Sequence, residues 1–118
     1  MTKFYKEQDD LPASYEWRDK IVTLPGIKKN CVGYFYLLAM IELASKNPYA
    51  SLQELYAIGL RENTFSALSD ASVPSYNNIY TGINYALKDV PREHRPSTLK
   101  KYVSKAAMDL QLLAMETR

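Results

Sequence analysis

"CVGYFYLLAMI", residues 31–41, decides the fold class of this chain. A helix built from this run is apolar nearly all round, which is typical of a helix surrounded by others at the centre of a bundle. The run is too short to span a membrane, which needs about 20 residues. With its flanking residues it predicts a core helix over about residues 28–45. Among the packed residues of that helix we expect Tyr34, Leu37, Leu38 and Ile41.

The residues on either side of this helix predict shorter helices with recognisable ends. Ser14 can cap a first helix, which stops before the Pro-Gly pair at 25–26 because those two residues break a helix and turn the chain. Ser51 and Glu54 have the spacing of a capping box, in which each side chain satisfies a backbone N–H group at the start of a helix. That helix is predicted to run to about Leu60.

Residues 63–90 predict two helices joined by a short turn. Asn63 can cap the first helix, and after a break at 72–74 Ser75 can cap the second, which runs to about residue 90. The apolar positions of the first are Phe65 and Leu68, and those of the second are Ile79, Ile83, Ala86, Leu87 and Val90. Their spacing gives each helix one apolar face, and the unit is a predicted helix-turn-helix.

A last helix completes the pattern after the loop at 91–97, with Ser97 as its predicted N-cap. Its apolar stripe comprises Leu99, Tyr102, Val103, Ala106, Ala107, Leu110 and Ala114. No segment alternates polar and apolar residues with the period of two that a half-buried strand needs. We therefore predict one all-α domain of about six helices over residues 13–118, preceded by an N-terminal arm over residues 1–12.

The charge of the chain is modest and unevenly distributed. The net charge is +2 and the isoelectric point is about 8.6. Residues 91–118 carry six basic and three acidic side chains, whereas residues 63–90 carry only Lys88 against Asp70 and Asp89. If the protein meets a polyanion, the last helix is predicted to supply the attraction.

The sequence shows none of the residue patterns that mark common enzyme and metal sites. Cys31 is the single cysteine, so it cannot form an internal disulfide or a thiolate cluster, and His94 is the single histidine. There is also no glycine-rich phosphate loop and no nucleophile elbow. We predict a protein that is not an enzyme, with no catalytic residue, cofactor or metal. The N-terminus has no apolar signal region, so we expect a cytoplasmic protein with no membrane partner.

Four stretches carry a resemblance to a known family, and these are "LPGIKKNCVGYFYL" (24–37), "SALSDASVPS" (66–75), "NIYTGINYAL" (78–87) and "RPSTLKKYVSKAAMDLQL" (95–112). In order and spacing they resemble the DNA-binding effector domain of the stage-zero sporulation response regulator, the transcription factor that initiates sporulation in endospore-forming bacteria. The resemblance covers about residues 20–113. The matching positions are Gly33, Tyr34, Tyr36 and Leu37 in the core helix and Arg95, Pro96 and Ser97 before the last helix.

The resemblance implies a helix-turn-helix that reads double-stranded DNA, without the receiver domain and therefore without phosphorelay control. The recognition helix of that family carries arginines and a glutamate, whereas the aligned positions here are uncharged. Asparagine can bond adenine at two atoms, and tyrosine or threonine can reach phosphates. We therefore expect a transcription regulator with the helix over about 75–90 in the major groove. The candidate DNA-binding residues are Ser75, Tyr76, Asn77, Asn78, Tyr80, Thr81, Asn84, Tyr85, Lys100 and Lys101.

The same uncharged face also fits a protein-interaction or dimerisation module that does not bind DNA. Tyrosine is enriched at protein interfaces, and charged residues are depleted at their centres. The protein partners left open are a second copy of the chain, which would give a homodimer, RNA polymerase, or another protein. A solvated surface without a partner is the third interpretation of this face.

Overall fold

The computed structural model describes residues 15–65 and 73–116, and within them it is helical without any strand, as predicted. The α-helices of this part of the chain are α1 (Arg18–Ile21), α2 (Val32–Lys46), α3 (Leu52–Arg61), α4 (Tyr76–Ala86) and α5 (Leu99–Glu116), with a 3₁₀ helix at Arg92–His94. α2 packs against α3, α4 and α5, and α1 packs against α5. The predicted N-terminal arm lies outside the described residues.

α2 is the central helix, as its apolar sequence predicts. The residues expected to pack are fully buried, and these are Tyr34, Leu37, Leu38 and Ile41. α2 begins at Val32, however, rather than near residue 28. The reason is tertiary, because the Lys28 backbone N–H group donates to the Ala86 carbonyl oxygen at 2.9 Å, at the end of α4. Residues 27–31 therefore run along the end of another helix instead of extending α2.

The first helix is a single turn, shorter than the sequence predicts. It ends because Val22 adopts an extended conformation and is itself buried. The predicted turn at Pro25 and Gly26 is confirmed, since Gly26 has a φ of 81°, which favours glycine. The predicted cap residue Ser14 lies outside the described residues.

The predicted capping box at the start of α3 is confirmed. The Ser51 hydroxyl accepts a hydrogen bond from the Glu54 backbone N–H group at 3.1 Å, and the Glu54 carboxylate accepts one from the Ser51 N–H group at 2.9 Å. These two bonds satisfy donors that the first turn of a helix leaves free. The cap fixes the direction in which α3 leaves the end of α2.

Asn63 ends α3, and the helix that it was predicted to cap lies outside the described residues. Its φ of 56° is left-handed, which is common for the residue that follows a helix. The Asn63 N–H group donates to the Leu60 carbonyl and the Thr64 N–H group to the Gly59 carbonyl, which together form a Schellman motif. Most of the first helix of the predicted pair lies beyond residue 65, outside the described residues, and the helix-turn-helix stays a prediction.

The second helix of the predicted pair is α4. Residues 73–75 before it are not helical, and α4 ends at Ala86 rather than near residue 90. It ends there because the chain turns, with a hydrogen bond from the Val90 N–H group to the Leu87 carbonyl oxygen. The predicted apolar face is confirmed by burial of Ile79, Ile83, Ala86, Leu87 and Val90.

The last helix begins and ends differently from the prediction. Thr98 is its N-cap instead of Ser97, because the Thr98 hydroxyl accepts the Lys101 N–H group at 3.1 Å and Leu99 is the first buried residue of the helix. The predicted stripe is buried at Leu99, Val103, Ala106 and Ala107, and partly buried at Tyr102 and Leu110.

Ala114, assigned to the same stripe, is exposed, so the prediction is wrong at that end. The Gln111 side-chain amide donates to the Ser45 carbonyl oxygen, next to Lys46 at the end of α2. The turns of α5 beyond Gln111 therefore have no central helix to pack against, and most of their residues are exposed.

α2 and α4 cross with their backbones in contact at Gly33 and Gly82. A methyl group on Gly33 would overlap the carbonyl oxygen of Gly82, which is a backbone atom that cannot turn aside. A methyl group on Gly82 would instead lie 3.4 Å from the Gly33 Cα atom, at ordinary contact distance. Only one of the two glycines is therefore required by the crossing.

We expect Gly33→Ala to lower the free energy of unfolding by about 3 kcal/mol, at the upper end of the range for overpacked cores. Gly82→Ala should stay within about 1 kcal/mol of the native protein, since alanine also favours a helix interior by about that amount over glycine. Chemical denaturation of the two variants measures the difference. Equal losses in both would contradict the close crossing at Gly33.

Candidate nucleic-acid interface

α4 presents an exposed polar face on the side away from the core. Ile79, Ile83 and Ala86 are buried, whereas the residues opposite them are exposed. The exposed residues of this face are Asn77, Asn78, Thr81, Asn84 and Tyr85. We name this set the α4 face. Their spacing along the helix places the amides and the hydroxyls on one side, so these groups can contact a single ligand.

The first turn of α4 is held by an aromatic row that runs from the core to the surface. The Tyr56 ring stacks on Phe65 and meets Tyr76 edge-on, at centroid distances of 5.8 and 5.6 Å. Tyr76 in turn lies 6.2 Å from Tyr80. The Tyr56 hydroxyl also donates to the Pro74 carbonyl oxygen at 2.8 Å, just before the helix begins. These contacts fix the point at which α4 starts.

The two tyrosines of that row differ in what they can still contact. Burial, with a smaller effect of Tyr80, raises the pKa of the half-buried Tyr76 hydroxyl. The Tyr76 ring packs between Tyr56 and Tyr80, and the side chain is partly exposed, so the phosphate contact suggested by the sequence stays a prediction. Tyr80 is 39% exposed and keeps part of its ring available at the edge of the α4 face.

Tyr85 lies between two lysines at the other end of α4. The Lys28 ammonium is 5.3 Å from the centre of its ring and the Lys88 ammonium is 5.9 Å away, both within the range of cation–π attraction. Lys28 comes from the segment before α2 and Lys88 from the turn after α4. The tertiary structure therefore brings positive charge to the end of a helix that has none in its own sequence.

The two lysines are not equally available. Lys28 forms an ion pair with Asp89 at 2.6 Å, and this hydrogen bond is the largest cause that raises the pKa of Lys28 and lowers that of Asp89. An incoming anion must compete with Asp89 for Lys28. Lys88 is exposed, and its ammonium stays beside Tyr85. Lys88 is therefore the stronger candidate for an anion contact.

A cleft of about 290 Å³ separates the α4 face from the start of α5. Its lining includes Tyr80 and Asn84 from α4, Lys88 and Arg95 from the connection, and Thr98 at the cap of α5. The Arg95 guanidinium donates to the Lys88 and Val90 carbonyl oxygens, at 2.8 and 3.0 Å. It braces the connection and fixes the position of the Lys88 backbone.

Lys100 and Lys101 lie at the start of α5, and their side chains differ in what they contact. The Lys100 ammonium donates to the Ser104 hydroxyl at 2.8 Å along α5. The pKa of Glu54 in α3 is lowered mainly by its hydrogen bonds with Ser51, with a small contribution from Lys100. The Lys100 ammonium is held along its own helix by Ser104. Lys101 is exposed, on the side of α5 opposite its buried stripe.

Sequence reasoning missed Lys28 and Lys88 as members of the site. Lys28 is distant from α4 along the chain, and no local pattern links it to Tyr85. Lys88 was visible as the one basic residue of the predicted helix pair, but the ring it contacts could not be read from spacing alone. Lys28 and Lys29 form a local excess of positive charge before α2, but Lys88 is followed directly by Asp89, so net charge gave no signal for Lys88.

Metal ligands and membrane-spanning helices were searched for in the part of the chain that the structure describes. No group of three or more His, Cys, Asp or Glu side chains among these residues could hold a metal ion. None of the described helices is long and apolar enough to cross a membrane. Comparisons with protein-family models, curated proteins and solved structures found no match to this chain.

The start of α4 depends on its cap, since the Ser75 hydroxyl accepts the Asn78 N–H group at 3.1 Å, as predicted. We expect Ser75→Ala to cost about 1 kcal/mol in the free energy of unfolding, the usual value for a lost N-cap. Ser97→Ala is the matched control, because Thr98 and not Ser97 caps α5. A thermal or chemical melt in which Ser97→Ala loses as much as Ser75→Ala would show that the serine caps are assigned wrongly.

Proposed function

We propose that the protein binds double-stranded DNA and acts as a transcription regulator, with α4 in the major groove. The observation that carries the proposal is the combination of an exposed Asn and Thr face with Lys88 and Lys28 at its end. Base readout needs side-chain donors and acceptors that can turn toward the bases, and phosphate contact needs cations beside them. The α4 face and its two lysines supply both in one region.

In this proposal the bases are read by the amides of the α4 face. Asparagine can donate to N7 and accept from N6 of an adenine at the same time, and each such pair discriminates by about 1–3 kcal/mol. Asn77 and Asn78 are in the first turn of α4 and Thr81 is one turn later. The major groove is wide enough to admit an α-helix. Thr81 adds a methyl group and a hydroxyl, which suit thymine and phosphate respectively.

Phosphate contacts would come from the rim of the same face. Lys88 and Lys28 flank Tyr85 at one end, and the exposed part of Tyr80 borders the cleft toward α5. Few cations are involved and one is paired with Asp89, so we expect weak binding with a shallow salt dependence. About two to four phosphate contacts correspond to a slope of about −2 to −4 in a plot of log affinity against log salt.

The resemblance to the sporulation regulator's effector domain supports the same proposal. In both, a core helix with a Gly-Tyr-x-Tyr-Leu pattern is followed by a candidate recognition helix and a last helix after a basic residue and a proline. The departure is the loss of arginine from the candidate recognition helix. Lys28 and Lys88 offer a physical substitute, because they bring charge to the helix end from outside it.

A protein-interaction module is the second candidate function. It is favoured by the exposed rings of Tyr80 and Tyr85, which are 39% and 53% accessible on a face without formal charge. Tyrosine supplies large contact area at interfaces and keeps a polar group at its tip. Another protein, such as RNA polymerase, would then cover the α4 face. The affinity of such a contact would depend little on salt, whereas the DNA contact proposed above gives a slope of about −2 to −4 in a plot of log affinity against log salt.

We expect Lys88→Ala to weaken binding to all duplexes and to reduce the salt slope by about one phosphate contact. Lys46→Ala is the matched control, because Lys46 is exposed at the far end of α2, about 20 Å along that helix from Gly33. Fluorescence anisotropy with a labelled random duplex at several salt concentrations measures both variants. If Lys101→Ala changes the slope and Lys88→Ala does not, the attraction comes from α5 instead.

We expect Asn78→Ala to reduce the preference for a selected site over random DNA by about 1–3 kcal/mol, with non-specific binding nearly unchanged. The site would be obtained by selection from a randomised duplex library, and competition binding measures the preference. Gln53→Ala in α3 serves as a control for loss of an exposed amide elsewhere. If no duplex binds at low salt, the DNA proposal fails and the protein-interaction module takes its place.

A further inference from the structure

α5 carries a second apolar stripe, on the side facing away from the core. Met108, Leu112 and Met115 are 62%, 56% and 67% exposed. On a helical projection they lie opposite the buried stripe that starts at Leu99 and Val103. An amphipathic helix on the surface of a single domain has one apolar stripe and a polar outer face. The outer face of α5 is instead apolar over its last turns.

The spacing of this outer stripe is that of a helix-pairing seam. Met108, Leu112 and Met115 follow one another at steps of four and three residues, the alternation that keeps a seam against a second helix. No described part of the chain covers these side chains, as their exposure shows. A short seam of this kind fits another helix laid along it.

The charges beside the seam favour one orientation of the second helix. Lys105 lies at the N-terminal end of the seam with its side chain 78% exposed, and Glu116 lies at the C-terminal end. Lys105 contacts Asp109 at 3.3 Å on the same helix, which is an exposed pair and therefore weak. An antiparallel helix with the same sequence would bring a Glu116 to each Lys105, whereas a parallel one would bring like charges together.

We infer that two copies of this protein associate through α5, with the two helices antiparallel and crossing near residue 110. In that register Met108 of one copy packs against Leu112 of the other, and Lys105 of one lies beside Glu116 of the other. The contact is isologous, because the same patch serves on both copies. In this arrangement the apolar stripe of one copy meets the apolar stripe of the other, and each end charge meets an opposite charge. Self-complementarity of this kind is required for binding to a second copy and is not required for binding to an unrelated partner.

The seam is short, and this sets the strength of the dimer. Stable dimers bury about 800 Å² on each partner, and three side chains on two turns of helix provide less. The dimer is therefore expected to dissociate as the protein is diluted through the micromolar range. This inference does not depend on DNA binding, because the seam is on α5 and the α4 face is on another helix.

Sedimentation velocity over a hundredfold range of protein concentration tests the association. We expect the native protein to move from monomer to dimer, and Leu112→Glu to raise the dissociation constant by about tenfold or more. Tyr49→Glu is the matched control, because Tyr49 is the most exposed large apolar residue outside α5, at 98%. Circular dichroism should show unchanged helix content in both variants, since each site is exposed. A native protein that stays monomeric throughout, or a Leu112→Glu variant that still dimerises, overturns the inference.

Cysteine cross-linking tests the orientation. In a Cys31→Ser background, Met108→Cys protein mixed with Leu112→Cys protein should form a disulfide-linked pair under mild oxidation. Leu112→Cys protein alone should cross-link poorly, because the antiparallel register separates the two copies of residue 112. Efficient cross-linking of Leu112→Cys with itself would instead mean a parallel pair or a crossing at residue 112, and either result overturns the proposed arrangement. Exchange of charges gives a third check: Lys105→Glu should weaken the dimer, and Lys105→Glu combined with Glu116→Lys should restore it.

Discussion

The close crossing of α2 and α4 at Gly33 and Gly82 is the constraint on which the rest of the structure depends. α2 is buried along most of its length and is surrounded by other helices, so it cannot shift to make room for them. Each helix that packs on α2 must therefore fit the shape of its surface. Because Gly33 has no side chain, the α4 backbone can approach α2 directly, and Ile79 and Ile83 then enter the core. The rotation of α4 about its own axis follows from that fit, and with it the choice of residues left in solvent.

The electrostatics of the α4 face follow from the same crossing. With α4 held against α2, the Ala86 carbonyl accepts the Lys28 N–H group, and Lys28 is brought beside Tyr85. This main-chain hydrogen bond between distant segments thus places a positively charged side chain beside the end of α4. Asp89 offsets part of that charge, so the face combines neutral hydrogen-bonding groups with a small positive rim. Such a balance suits a ligand that is read by shape and hydrogen bonding more than by attraction.

The caps at Ser51 and Ser75 were predicted correctly, whereas α1 and α4 end earlier than the sequence predicts, where the chain turns or becomes extended. Ser51 with Glu54, and Ser75, act as caps because residues three apart in a first turn meet in any helix. At Asn63 the sequence alone was ambiguous, because an asparagine between two helical segments can end one or begin the other. The left-handed backbone at that residue shows that it ends α3.

The sequence by itself determined the helical class, the central position of α2 and the polar character of the α4 face, because these follow from the period of apolar residues along one helix at a time. Only the tertiary structure decided that Lys28 reaches Tyr85 and that Tyr76 packs against Tyr56. It also decided that no described segment covers Met108, Leu112 and Met115 on the outer side of α5. The physical reason is that the period of apolar residues shows only which side of a helix is apolar. Contacts between distant segments depend on how closely two helices approach each other. Here the missing side chain at Gly33 sets the distance between α2 and α4.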